Sequence, residues 1–102
     1  MPHYVVLINY CRPFAEFEAI VPDHRAHLQR GVEAGIVLLS GPQNPRTGGV
    51  IIARAESRAA LDRFLADDPY RINGVADFQP IEFTPGRHQA FLAEWLGTNP
   101  QV

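Results

Sequence analysis

The chain has 102 residues, nine basic against eleven acidic, and 46% of it is hydrophobic. All nine basic residues are arginine (Arg12, Arg25, Arg30, Arg46, Arg54, Arg58, Arg63, Arg71 and Arg87), which excludes Schiff-base chemistry on a lysine amine and a phosphate loop ending in Gly-Lys-Ser/Thr. A net charge of −2 speaks against a nucleic-acid surface, and the length implies one domain that can bury a single core without disulfides or metal.

Taken in chain order, residues 4–10 are β-branched and aromatic and predict a strand. The apolar run at 4–8 is too short for a signal peptide or a membrane span, and no basic region precedes it. Cys11, the one cysteine, cannot pair within the chain, which suits a reducing compartment. We therefore expect a soluble cytoplasmic protein with no membrane contact and no nucleic-acid partner. Residues 22–34 predict a helix, with Pro22 in its first turn, Asp23 near the positive end of the dipole and Gly35 as the stop. The run 36–39 predicts a strand, and a Gly/Pro-rich loop at 41–49 leads to another at 50–53. Ser57 can cap a helix running to about residue 67, with Leu61, Phe64 and Leu65 as its core stripe, and Pro69 is expected to end it. Asn73-Gly74 reads as a turn, and 75–83 as a last strand in which Pro80 argues for an edge position or a bulge. Phe91, Leu92, Trp95 and Leu96 recur at helical spacing, so residues 86–96 predict a short helix packed on the body or on a partner.

The order β-α-β-β-α-β is the ferredoxin-like pattern of an α+β domain, a four-stranded antiparallel sheet with both helices on one face. The other face then needs a cover. Ile51 and its neighbours are too apolar for water, so a second subunit laid sheet to sheet is expected.

His24, Leu28 and Val32 form a stripe at i, i+4, i+8 that predicts an inward-facing histidine in the first turn of the first helix. Histidine transfers protons near neutral pH, its ordinary pKa being about 6.5; the plain alternative is a hydrogen-bonded structural histidine. Asp67-Asp68-Pro69-Tyr70 puts two carboxylates at a helix C-terminus, where the dipole disfavours them. Either they are solvated or cap a turn, or Asp68 turns inward to hold a histidine, fixing its tautomer and stabilising its cation. His27, one turn after His24, opens the possibility of a metal pair, although the i, i+4 spacing with glutamate of zinc proteases is missing. Ser40 before Gly41-Pro42 can donate into a cleft or simply help the turn. Arg12, after the first strand, can hold a substrate carboxylate or remain a solvated loop residue.

Three blocks resemble the YCII-related (YciI-like) domain. They are His24-Arg25-Ala26-His27-Leu28 followed by Glu33-Ala34-Gly35, then Leu38-Leu39-Ser40-Gly41-Pro42, then Ala66-Asp67-Asp68-Pro69-Tyr70. The resemblance covers about residues 4–83 and implies a ferredoxin-like fold that dimerises into an α+β barrel, with a site centred on a histidine and an aspartate. By block, these fall on His24 and on Asp68, the aspartate directly before proline. One activity in the family removes chloride from a chlorinated hydroxyquinol. The tail from Gly86 onward departs from the family pattern, so residues 1–85 are expected to form the domain and 86–102 a helical extension.

The expectation from all this is a small cofactor-independent homodimeric enzyme of lyase or isomerase type. It would act on a small polar or aromatic metabolite, with His24 and Asp68 as the catalytic pair, Ser40, Tyr70 and Arg12 as substrate-binding residues, and no metal. Its rivals are a cofactor-free monooxygenase and a non-enzymatic ligand-binding or interaction module whose working surface is the apolar tail.

Overall fold

Alternation along the first strand decides where the core lies. In the computed structural model, which describes residues 1–97, β1 (His3–Tyr10) buries Tyr4, Val6 and Ile8 toward the helices while Val5 and Leu7 face the other way. It pairs antiparallel with β3 (Gly48–Arg54) on one side and with β4 (Ala76–Phe83) on the other. The edge strand β2 (Val37–Pro42) completes the order β2-β3-β1-β4. The helices α1 (Val21–Glu33) and α2 (Arg58–Ala66) make the two crossovers and cover one face. The core on that face gathers Tyr4, Val6, Ile51, Leu61, Leu65 and Tyr70.

The local chemistry explains most boundaries. Ser57 caps α2 by accepting from the Ala60 N–H at 3.1 Å. Gly35 (φ +77°) and Gly74 (φ +65°) take left-handed conformations just past a helix end. Pro80 sits in β4, an edge strand, where its missing N–H costs no ladder bond to a further neighbour.

Four expectations need correction. β2 and β3 are longer than the apolar runs suggest, because Gly41, Pro42, Gly48 and Gly49 pair across the hairpin, leaving only residues 43–47 as loop. Pro69 does not simply end the second helix; it opens a further short helix, α3 (Pro69–Ile72). Val32 is 42% exposed, because i+8 lies about 80° round a 3.6-residue helix; the inward residues of α1 are Val21, His24, His27, Leu28 and Gly31. Ile51 faces the helices and is fully buried, so Val50 and Ile52 are the residues of β3 on the far face.

The tail behaves as the spacing suggests. α4 (Ala93–Leu96) ends at Gly97 in the left-handed conformation and lies on the sheet face away from the helices. There the Trp95 ring stands 5.6 Å from that of His3 and the Arg54 guanidinium sits 4.6 Å above the indole. Arg54 also donates to the backbone carbonyls of Trp95 and Gly35. The last five residues of the expected extension, 98–102, lie outside the described residues.

Two predictions arise here. A Cβ on Gly48 would run into the backbone carbonyl of Ile8 on the paired strand. Gly48→Ala is therefore expected to cost about 1–3 kcal/mol, read as a fall in the urea midpoint. The second concerns His3, whose pKa burial lowers, with the positive charges of the N-terminal amine and Arg54 adding to the effect. The unfolded chain takes up this proton near pH ~6.5 and the folded chain does not, so stability is complete above that pH and falls as pH drops below it. His3→Phe, which keeps an aromatic ring against Trp95, is expected to lose less thermal stability than wild type between about pH 7 and about pH 5.

Candidate active site

The Asp68-Pro69 pair explains both the short helix and the site. Asp68 is the N-cap of α3: its Oδ1 accepts from the Tyr70 N–H at 2.9 Å, and Pro69 fills the first helical position, where no N–H is needed. The carboxylate placement that looked unfavourable at a helix C-terminus is thus a favourable one at the start of the next. The same carboxylate accepts from His24 Nδ1, at 2.8 Å to Oδ1 and 2.9 Å to Oδ2. Asp68 is fully buried, and a buried carboxylate is tolerable only when its oxygens are satisfied, as they are here by an imidazole and a backbone amide.

His24 reaches this contact because α1 turns its first-turn residue inward, toward α3. The imidazole lies flat on the Tyr70 ring, centroid to centroid 3.7 Å and 5° from parallel. Nδ1 donates to an acceptor that has no proton to give, so the ring is held as the Nδ1–H tautomer, and Nε2 has no protein partner among the described residues. His27 points elsewhere: its Nε2 donates to the Phe64 carbonyl at 2.8 Å and its ring stacks on Phe64. The two histidines of α1 therefore do not converge.

Above His24 opens a cavity of about 140 Å³, lined by Tyr10, Ser40, Arg46 and Tyr70, with Ile8 and Leu28 as apolar floor. Burial, then the neighbouring Tyr10 phenol, push the Tyr70 hydroxyl up to about 12. Burial works against the Arg46 cation, but the Tyr10 and Tyr70 hydroxyls beside it hold its pKa above the ordinary value. The guanidinium stacks 4.0 Å above the Phe14 ring.

Of the residues singled out by sequence, His24, Asp68 and Tyr70 come together, and Ser40 lines the rim of the same cavity. Arg12 does not join them. The chain bends after β1, and the Arg12 side chain is 61% exposed, 3.9 Å from Glu16; Arg46, from the β2–β3 loop, is the arginine at the cavity. Arg46 and Tyr10 were missed. The alternation Tyr4, Val6, Ile8, Tyr10 carried enough signal to place Tyr10 inward. For Arg46 the only hint was a charged residue inside a short Gly/Pro-rich connection.

Comparison with known proteins agrees with this architecture. The model of the YCII-related domain matches residues 3–84. The xenovulene A biosynthesis cluster protein asL2 of Sarocladium schorii is 33% identical over 75 residues, which span 62% of this chain and 65% of that protein. Among solved structures, 5-chloro-2-hydroxyhydroquinone dehydrochlorinase (TftG) from Burkholderia phenoliruptrix AC1100, in complex with 2,5-dihydroxybenzoquinone, superposes with a TM-score of 0.57. It is 19% identical, and the superposition covers 83% of this chain and 95% of that one. The ferredoxin-like α+β fold is therefore shared. No helix among the described residues is long and apolar enough to cross a membrane.

Proposed function

The chain belongs to the YCII-related domain family, and from that premise we propose that it is a small acid–base enzyme of lyase or isomerase type with His24 as the proton-transferring group. The observation that carries this reading is the His24–Asp68 contact at 2.8 Å beneath an open cavity. With Nδ1–H held by Asp68, the Nε2 lone pair takes a proton from the bound molecule. The Asp68 carboxylate stabilises the imidazolium that forms. The electron pair left behind either expels an anionic leaving group, which is a lyase step, or is reprotonated one position along by the same imidazolium, which is an isomerase step. Neither needs a redox partner, and we propose no cofactor.

The cavity is close in volume to one that admits a single benzene ring, on the order of 150 Å³, so the proposed substrate is a small polar or aromatic metabolite of about one ring. The dehydrochlorinase acts on, and was solved with, molecules of that size. Ser40 at the rim and Tyr70 under His24 are the proposed substrate-binding residues. We further propose a homodimer joined through the sheet face away from the helices. Leu39, Ile81 and Phe83 are 58%, 44% and 40% exposed on that face, beside half-buried Val5, Leu7 and Ile52. Residues 1–85 would then be the family domain and 86–102 its extension.

Turnover of hydroxylated single-ring compounds tests the reading, beginning with 5-chloro-2-hydroxyhydroquinone and chloride release. Turnover that vanishes in His24→Ala supports it; turnover unchanged in His24→Ala contradicts it. The monooxygenase alternative would call for a pocket tryptophan, and the single Trp95 packs on the opposite sheet face. One observation favours the interaction-module alternative, the 81% exposure of Phe91 in the tail. Phe91→Ser that abolishes capture of a partner while leaving the cavity's ligand binding intact would favour that reading.

A further inference from the structure

We infer that Arg46, with the hydroxyls of Tyr10 and Tyr70, forms an anion-binding pole of the cavity, so that the molecule it accepts is a planar phenol or enol held there as its oxyanion. This rests on His24 being the proton acceptor and adds the charge and the binding site of the substrate's oxygen.

Three observations lead there. First, the half-buried Arg46 guanidinium has no carboxylate partner among the described residues, its Nε is buried with no hydrogen-bond partner, and the buried Tyr70 hydroxyl lies beside Arg46 and Tyr10 without a well-formed hydrogen bond. Buried donors left unmade carry a desolvation cost and call for an explanation, a ligand acceptor being one that fits a cavity wall. Phe14 covers one face of the guanidinium, leaving its N–H edge for an acceptor. Second, among the described residues the cavity is lined by two arginines, Arg25 and Arg46, and by no aspartate or glutamate. Asp68, the nearby carboxylate, is buried behind His24 and committed to it. An anionic ligand would supply the missing counter-charge. Third, Tyr70 connects the two poles, its ring under His24 and its hydroxyl beside Arg46. Proton removal and anion binding are therefore set about one ring apart, which suits one planar molecule better than a phosphate or a free inorganic anion. With its pKa near 12, the Tyr70 hydroxyl stays a donor throughout the neutral range.

Electrostatics give the pole its chemical use. When His24 Nε2 takes a further proton, from another hydroxyl or a C–H of the bound oxyanion, the electron pair left behind spreads more negative charge onto the oxygen held at the pole. A fixed cation and two phenolic donors aimed at that oxygen stabilise the charge without reorganising at the moment of transfer.

The test uses 4-nitrophenol, a single-ring phenol that ionises near neutral pH and absorbs in the visible only as phenolate. Titrated with the protein, it is expected to bind as the phenolate, its ionisation midpoint falling by at least about one unit, a tenfold shift. Arg46→Gln is expected to abolish the shift and Arg46→Lys to keep most of it, which separates loss of charge from loss of fold. His24→Gln is expected to retain the shift while losing turnover. A wild-type protein that does not bind the probe, or binds it without a shift, overturns the inference. So does a shift that survives Arg46→Gln or vanishes only in His24→Gln. A shift that depends on Arg46 while His24→Ala leaves turnover unchanged would sink the acid–base reading and leave the anion pole standing.

Discussion

Asp68→Asn is expected to lower kcat by about 10²–10⁴-fold while leaving the protein nearly as stable as wild type. Both halves turn on one carboxylate, whose Oδ1 accepts from the Tyr70 N–H and whose two oxygens both face His24 Nδ1. Asparagine is as good an N-cap as aspartate, and its side-chain oxygen can still accept from the Tyr70 N–H, so α3 keeps its start. What changes is the partner of His24 Nδ1. An amide NH₂ now faces the ring nitrogen that aspartate accepted from, and the imidazole best answers by moving its proton to Nε2. The atom facing the bound molecule then has no lone pair to offer, and the imidazolium loses its counter-charge. A fall in kcat with an unchanged urea midpoint separates this from a structural role. Asp68→Ala would confound the two, since it removes the cap as well, at about 0.5–2 kcal/mol.

Tyr70→Ala is expected to destabilise the fold by about 3–5 kcal/mol, a large share of the ~5–15 kcal/mol available to a domain of this size. Tyr70 is 1% exposed. Its ring is the base on which His24 lies, and it meets Phe17 and Tyr10 edge to face with centroids 5.3 and 5.9 Å away. Truncation would open a cavity under the His24 imidazole and remove three aromatic contacts. Tyr70→Phe is a different experiment. It keeps every stack and deletes a hydroxyl that lies beside Tyr10 and Arg46 without a well-formed hydrogen bond, so stability is expected to stay within about 1 kcal/mol of wild type. Ligand binding is expected to weaken. Urea denaturation of both variants, with unchanged m-value, reads the stability effect. Equal destabilisation by the two would contradict the packing described here.

Much of the fold was legible because it is written in local patterns. Alternation from Tyr4, the Ser57 cap and the glycines after α1 and α3 each act within a few residues, and the ferredoxin-like order follows from their sequence. Val32 was misplaced because an i+8 spacing drifts off the helix face that His24 and Leu28 share. The site divides similarly. His24 stood out by its inward position and Asp68 through the family resemblance, which implies the aspartate directly before proline, and the structure brings them together across 44 residues of chain. That Asp68 begins a helix rather than ends one was hidden, since Asp-Pro is compatible with both. The anion-binding side was not legible. Its parts come from β1, the β2–β3 loop and α3, and no spacing rule links Tyr10, Arg46 and Tyr70. Choosing among nine arginines without a tertiary frame favoured Arg12, which turned out to pair with Glu16 at the surface.

The proposed mechanism requires Asp68 to hold His24 with its proton on Nδ1, leaving Nε2 as the base. Two-bond ¹H–¹⁵N correlation of the His24 ring in the intact protein, with the signal assigned by loss in His24→Gln, measures this directly. A protonated, hydrogen-bonded Nδ1 and an unprotonated Nε2 are expected in the neutral ring, reversed in Asp68→Asn. A wild-type ring carrying its proton on Nε2 would contradict it.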